Sequence, residues 1–146
     1  MEQGERLEHY LQEYIPLSAA MAVSAVSVSE EAVLLKAPLA PNINHRETVF
    51  GGSASALGIL AAWSLLHVRL TAQGLNHRLV IQRNAMEYEL PILGEFSARA
   101  ELAQPEKWDR FIRTLSRRGM ARIHVMSTLE FDGKAVGRLH GEFVAM

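Results

Sequence analysis

The 146-residue sequence contains no cysteine. Disulfides, a thiol nucleophile and cysteine-bound zinc are excluded together, and the chain suits a reducing compartment. An excess of charge of either sign is also missing: 15 Lys and Arg against 16 Asp and Glu, mixed along the chain, leave a formal net charge of -1. That balance offers no electrostatic reason to expect nucleic acid or a membrane surface as a partner. The first residues, Glu2-Gln3-Gly4-Glu5-Arg6, are acidic, and no apolar segment of signal-peptide type follows, so a cytoplasmic location is expected. Repeats and low-complexity tracts are absent, and the length suits one compact domain over residues 1–146. No uninterrupted apolar run reaches the roughly 20 residues that a bilayer requires.

What the sequence does have is one nearly all-apolar helical segment entered through a polar loop. Asn42-Ile43-Asn44-His45-Arg46-Glu47-Thr48-Val49 leads into Phe50-Gly51-Gly52-Ser53, and strong helix formers continue without proline to Leu70. Gly51 and Gly52 permit a tight turn, and Ser53 is the expected N-cap. Leu57, Leu60 and Leu65 occupy some faces of the helix and Ala54, Gly58, Ala61 and Ala62 the others. A helix apolar on every side must be enclosed by other elements.

The flanking segments supply what encloses it. Residues 6–14 carry Leu7, Tyr10, Leu11 and Tyr14 at helical spacing before Pro16. Residues 19–28 and 32–37 read as two strands joined at Ser29-Glu30-Glu31, ended by Pro38 and Pro41. After the apolar helix, residues 80–90 place Asn84, Met86 and Tyr88 on one face and Arg83, Glu87 and Glu89 on the other. Residues 95–102 place Phe96, Ala98, Ala100 and Leu102 opposite Glu95, Ser97, Arg99 and Glu101. Pro105 opens an amphipathic helix with Trp108, Phe111, Ile112 and Leu115 in register, closed by Arg117, Arg118 and Gly119.

The last two strands carry a parity argument. A two-residue Asp132-Gly133 turn pairs odd with even positions and would set Ile123 and Val125 on one face with His140 and Glu142. A three-residue loop, Phe131-Asp132-Gly133, repairs this and sets Val125 opposite Leu139, Ile123 opposite Gly141 and Ala121 opposite Phe143. The fold class is then α+β: an antiparallel sheet, apolar on one face, wrapped around a long central helix.

A sheet curled around one helix is the hotdog arrangement, and the residues resemble that superfamily. Asn44 followed by Phe50-Gly51-Gly52-Ser53 and a small-residue helix is similar to the signature of hotdog acyl-thioesterases. Together with Ile15-Pro16-Leu17, Ala37-Pro38-Leu39, Asn42-Ile43-Asn44, Ala62-Trp63 and Val80-Ile81-Gln82, it resembles the thioesterase family named after the C-terminal domain of YiiD. The resemblance implies hydrolysis of an acyl-CoA or acyl-carrier-protein thioester, with coenzyme A or phosphopantetheine present as part of the substrate and no separate cofactor. It also implies a homodimer or a dimer of dimers.

Thioester hydrolysis passes through an oxyanion, and backbone N–H groups at a helix N-terminus are preorganised donors for it. Gly51 or, in preference, Gly52 supplies that donor, with Ser53 beside it; the competing reading is that both glycines serve only the turn. Family positions suggest that Asn44 holds water or the substrate carbonyl, against a plain Asn turn. Many hotdog thioesterases carry an acid two turns into the central helix, whereas residues 57–66 contain none. The base is therefore sought in His45 or Glu47, or across a subunit boundary. Asn84 is either a substrate-binding amide on the inner face or a buried, satisfied one. Arg117 and Arg118, with Arg122, match the place where related domains meet coenzyme A phosphates, and guanidinium groups suit phosphate; they also suit a helix C-terminus. His124 and His140 are expected opposite each other on the outer face without a carboxylate, which argues against a metal, and His9, His67 and His77 lack ligand spacing. Two functions of different class follow: a thioester hydrolase and a non-catalytic acyl-thioester binding module. A dehydratase ranks below both, because no inner-face His and acid pair is found.

Overall fold

The computed structural model describes residues 2–146. Six strands form one antiparallel sheet in the order β1-β2-β4-β5-β6-β3, with β1 Ser24–Val28, β2 Val33–Ala37, β3 Leu79–Tyr88, β4 Phe96–Leu102, β5 Ala121–Phe131 and β6 Lys134–Ala145. Four α-helices accompany it: α1 Gln3–Tyr14, α2 Leu17–Ala20, α3 Gly51–Ala72 and α4 Trp108–Arg118.

The inner face of the sheet closes over α3. Leu57, Ala61, Ala62, Leu65 and Leu66 of the helix are fully buried, as are Val33, Leu35, Ala98, Ala100, Leu129, Leu139 and Phe143 of the strands. Each such leucine or phenylalanine contributes roughly 1.5–3 kcal/mol through burial. Gly58 sets how closely helix and sheet approach: a Cβ there would lie 3.3 Å from Leu139 and 3.4 Å from Leu129. The buried Ser127 hydroxyl donates to the Gly58 carbonyl at 2.7 Å, linking β5 to the middle of α3. At 22 residues, α3 is long and apolar enough by length and mean hydropathy to cross a membrane, although His67 and Arg69 interrupt its apolar run. Its burial decides otherwise, since 61% of its most apolar window lies inside the fold.

Three expectations need correction. Residues 19–28 are not one strand: Leu17–Ala20 is helical, Ala22 adopts φ 59, and β1 starts only at Ser24. The N-cap of α3 is Phe50, not Ser53, because both glycines accept helical geometry and the Phe50 carbonyl takes the N–H groups of Ser53 (2.9 Å) and Ala54 (3.1 Å). The last hairpin does use the two-residue turn, with Asp132 at φ 53 and Gly133 at φ 73, the geometry that Asp-Gly favours.

The parity is repaired one step later. Phe131 pairs with Lys134 and Glu130 with Ala135, but Leu129 pairs with Gly137, so Val136 is an extra bulged residue. Beyond it Ile123 faces Phe143, Val125 faces Gly141 and Ser127 faces Leu139. The inner residues are those expected; their partners are shifted by two. His124 consequently faces Glu142, with their side chains 3.1 Å apart, and His140 meets Glu87 at 3.5 Å. Each histidine has a carboxylate of its own and not the other imidazole.

Candidate active site at the start of the central helix

Asn42, buried at the end of a short 3-10 turn (Ala40–Asn42), fixes where α3 begins. Its side-chain amide donates to the carbonyls of Met21 (3.0 Å) and Pro38 (2.8 Å), and its own carbonyl accepts the Phe50 N–H at 2.8 Å. The Val49 N–H donates to Ile92 at 2.9 Å. The helix therefore starts at a defined point beside the 90–92 segment. The sequence offered Asn42 only as part of a motif, without this positioning role.

The loop before the helix is held by Asn44. Its side-chain oxygen accepts the N–H groups of Arg46 (2.8 Å) and Thr48 (3.1 Å), while its amide nitrogen donates to the Thr48 hydroxyl (2.8 Å) and the Val49 carbonyl (3.5 Å). All four bonding positions of the amide serve the turn, so within one chain Asn44 has none left for water or substrate. His45 and Glu47 project from this turn into solvent, Glu47 at φ 63, and neither lines the groove described next.

Beside the first turn of α3 lies an open groove of about 290 Å³. Val49, Ala54, Met86, Ile92, Leu129 and Val136 line it with apolar surface, and Gly51 and Tyr88 border it. The Tyr88 hydroxyl donates to the Gly51 carbonyl at 3.3 Å. Among the described residues, no acceptor meets the N–H groups of Gly51 and Gly52, the first two donors of a long helix. A side chain at Gly52 would meet the Phe50 ring at 2.3 Å, so the room its hydrogen leaves is filled by that half-exposed ring. Ser53 is half-buried in the same turn, and its hydroxyl makes no hydrogen bond among the described residues. Glu89 also borders the groove, with its carboxylate 3.3 Å from the Arg138 guanidinium. Tyr88 and Glu89 were not singled out by the sequence. The signal available was the inner-face placement of Tyr88, whereas Glu89 follows the end of β3, where alternation stops.

Other expected site residues are not gathered here. Asn84 lies opposite Gly141 on the helix side of β3, yet it is exposed and has no polar partner among the described residues. Arg117 and Arg118 end α4, just before Ala121, whereas the groove reaches Leu129; residues 121–129 of β5 span about 26 Å. Within one chain they stand at opposite ends of the sheet. His67 lies far along α3, 4.4 Å from the Tyr10 ring and 5.0 Å from Trp63, and burial lowers its pKa below 6.5. No group of three or more His, Asp or Glu among the described residues is placed to hold a metal.

An antiparallel sheet wrapped on one long helix is the hotdog fold. More narrowly, the chain belongs to the family described as putative thioesterase (yiiD_Cterm), whose model matches residues 4–146. Solved structures with the same fold include a protein of unknown function from Chlorobaculum tepidum, 24% identical with a TM-score of 0.92, covering 98% of this chain and 93% of that one. A putative thioesterase from Shewanella oneidensis is 23% identical with a TM-score of 0.84, covering 98% and 96%. A probable thioesterase from Pseudomonas aeruginosa is 19% identical with a TM-score of 0.83, covering 97% and 93%. No curated protein matches the chain.

Proposed function

We propose that the groove hydrolyses an acyl thioester, with the free N–H groups of Gly51 and Gly52 receiving the oxyanion. The observation that carries this reading is their lack of any acceptor beside an apolar groove. The acyl chain lies along Val49, Met86, Ile92 and Val136, the thioester carbonyl points at the helix start, and water attacks its carbon. The tetrahedral oxyanion then collapses, the carbon–sulfur bond breaks, and the proton that water lost on attack ends on the departing sulfur, so that free acid and thiol leave. Removing one donor of this kind costs about 10²–10³ in kcat. Coenzyme A or phosphopantetheine enters as part of the substrate, and a cytoplasmic location is consistent with the cysteine-free chain.

The working unit is a homodimer joined through β3. That strand ends the sheet, and Gln82, Arg83, Asn84, Ala85, Glu87 and Tyr88 are all exposed along it. A second copy would satisfy the open backbone groups. Light scattering at micromolar concentration should give twice the 16.2 kDa chain mass or a higher multiple; a stable monomer refutes the dimer.

A binding module without turnover is the second reading. It is favoured by the Glu89 carboxylate being paired to Arg138 and by the full use of the Asn44 amide in its own turn. A screen of acyl-CoA chain lengths, followed by free thiol release, separates the two. Turnover above background for any member supports the hydrolase, and saturable binding with no turnover supports the module.

A further inference from the structure

One stretch departs from the mixed charge of the chain as a whole. Residues 107–122 carry Lys107, Arg110, Arg113, Arg117, Arg118 and Arg122 against the single acid Asp109, a net +5, which leaves net -6 on the remainder. All six cations are exposed. Elsewhere on the sheet Lys36 is paired with Glu95, Arg99 with Glu130 and Arg138 with Glu89, while Arg83 and Lys134 are exposed single cations, not part of a cluster. Among the described residues none of the six has a carboxylate partner, and Arg122 alone meets a neutral one, Gln82, at 2.9 Å. Two grooves of about 230 and 380 Å³ flank the exposed side of α4 and share Arg110 and Thr114, which makes the cationic surface continuous.

We propose that this face of α4 docks the acidic helix of an acyl carrier protein, the protein form in which an acyl thioester is presented. The inference rests on the thioesterase reading and names its substrate's carrier. From Lys107 to Arg118 the face extends about 16 Å, the length of three helical turns. A nucleotide diphosphate would engage two or three of these guanidinium groups; a helix bearing several carboxylates engages the whole row, with planar bidentate geometry at each arginine. Trp108, Phe111 and Leu115 are buried inside the fold, so α4 has no free apolar face to insert into lipid. The net -6 on the rest of the chain repels a long polyanion but guides a compact partner with one acidic side onto this single face.

The proposed dimer accounts for reach. Identical edge strands related by a two-fold axis run antiparallel. The Tyr88 end of one β3 then stands near the Leu79 end of the other, where Ala145 and Ala121 follow across the sheet. The partner's α4 therefore lies at the same end of the joined sheet as the groove, a few strand widths of about 4.8 Å away.

The test uses purified acyl carrier protein, apo and octanoyl-loaded, beside octanoyl-CoA. The dimer and its Arg110→Glu/Arg113→Glu variant are compared in calorimetric titration with the apo carrier and in kcat/KM for both thioesters. Thermal melts check folding; because both side chains are exposed, the variant should match the parent. Expected are apo-carrier binding that weakens with salt, at least a tenfold loss of carrier binding and of octanoyl-carrier hydrolysis in the variant, and octanoyl-CoA hydrolysis within twofold. An equal fall with octanoyl-CoA would overturn the proposal, assigning the arginines to the nucleotide. So would unchanged carrier binding, or binding of a single-stranded RNA or of phosphatidylglycerol vesicles with none of the carrier. If the apo carrier binds through the arginines while the parent hydrolyses neither thioester, docking stands and only the hydrolase reading fails.

Discussion

Gly51→Pro removes one proposed oxyanion donor and little else. Proline has no N–H, and Gly51 is the first residue of α3, the helical position where proline is best tolerated. The residue before a proline must be extended, and Phe50 already is, at φ -59 and ψ 133. The Gly51 N–H has no acceptor to lose, and a Cβ there would meet the Tyr88 ring at 3.4 Å, ordinary contact. Restricting the unfolded chain contributes about 0.4–1 kcal/mol to stability, so the melting temperature should hold or rise by roughly 1–4 °C. Loss of an oxyanion donor should lower kcat about 10²–10³-fold, or 2.7–4 kcal/mol of transition-state stabilisation. Gly51→Ala is the control, since it adds the same Cβ and keeps the N–H. The assay is thiol release from the best acyl-CoA of the screen, alongside scanning calorimetry. If Gly51→Pro retains kcat within threefold of Gly51→Ala, the Gly51 N–H does not face the reacting carbonyl and the oxyanion assignment is wrong for that residue.

Other consequences are open to measurement. Ser127→Ala deletes the 2.7 Å bond to Gly58 in the core and should cost about 1 kcal/mol, seen as a fall of roughly 2–4 °C in melting temperature; no change would mean that the bond contributes nothing net. Burial lowers the pKa of His67, so the unfolded chain binds the extra proton first. Stability should therefore fall as pH drops below 6.5, and His67→Gln should flatten that fall in melts taken from pH 7.5 to 5. Gly52→Ala puts a Cβ 2.3 Å from the Phe50 ring, so its cost should shrink by about 0.5–1 kcal/mol in a Phe50→Ala background; strict additivity would place that ring elsewhere in solution.

Whatever a few neighbouring residues encode was legible before any tertiary contact was known. The all-apolar helix, the dry faces of β4, β5 and β6, and the close of α4 at Gly119, φ 72, follow from side-chain periodicity and from turn chemistry within a handful of positions. Even the parity conflict in the last hairpin was legible. Its resolution was not, because a three-residue loop and a bulge at Val136 restore the same inner face, and only the pairing of Leu129 with Gly137 separates them. The site shows the same division. Two glycines opening an apolar helix could be read directly, but not that the Asn44 amide is fully engaged by Arg46, Thr48 and Val49 or that Phe50 covers Gly52. Tyr88 on Gly51 and Arg138 on Glu89 join residues from different elements, and their contact depends on the register between β3 and β6. Charge shows it too: the run of cations over 107–122 can be counted in the sequence, but it is α4, by burying Trp108, Phe111 and Leu115, that turns its arginines onto one side. Local patterns choose the elements; packing them together chooses which side chains meet and which are left facing solvent.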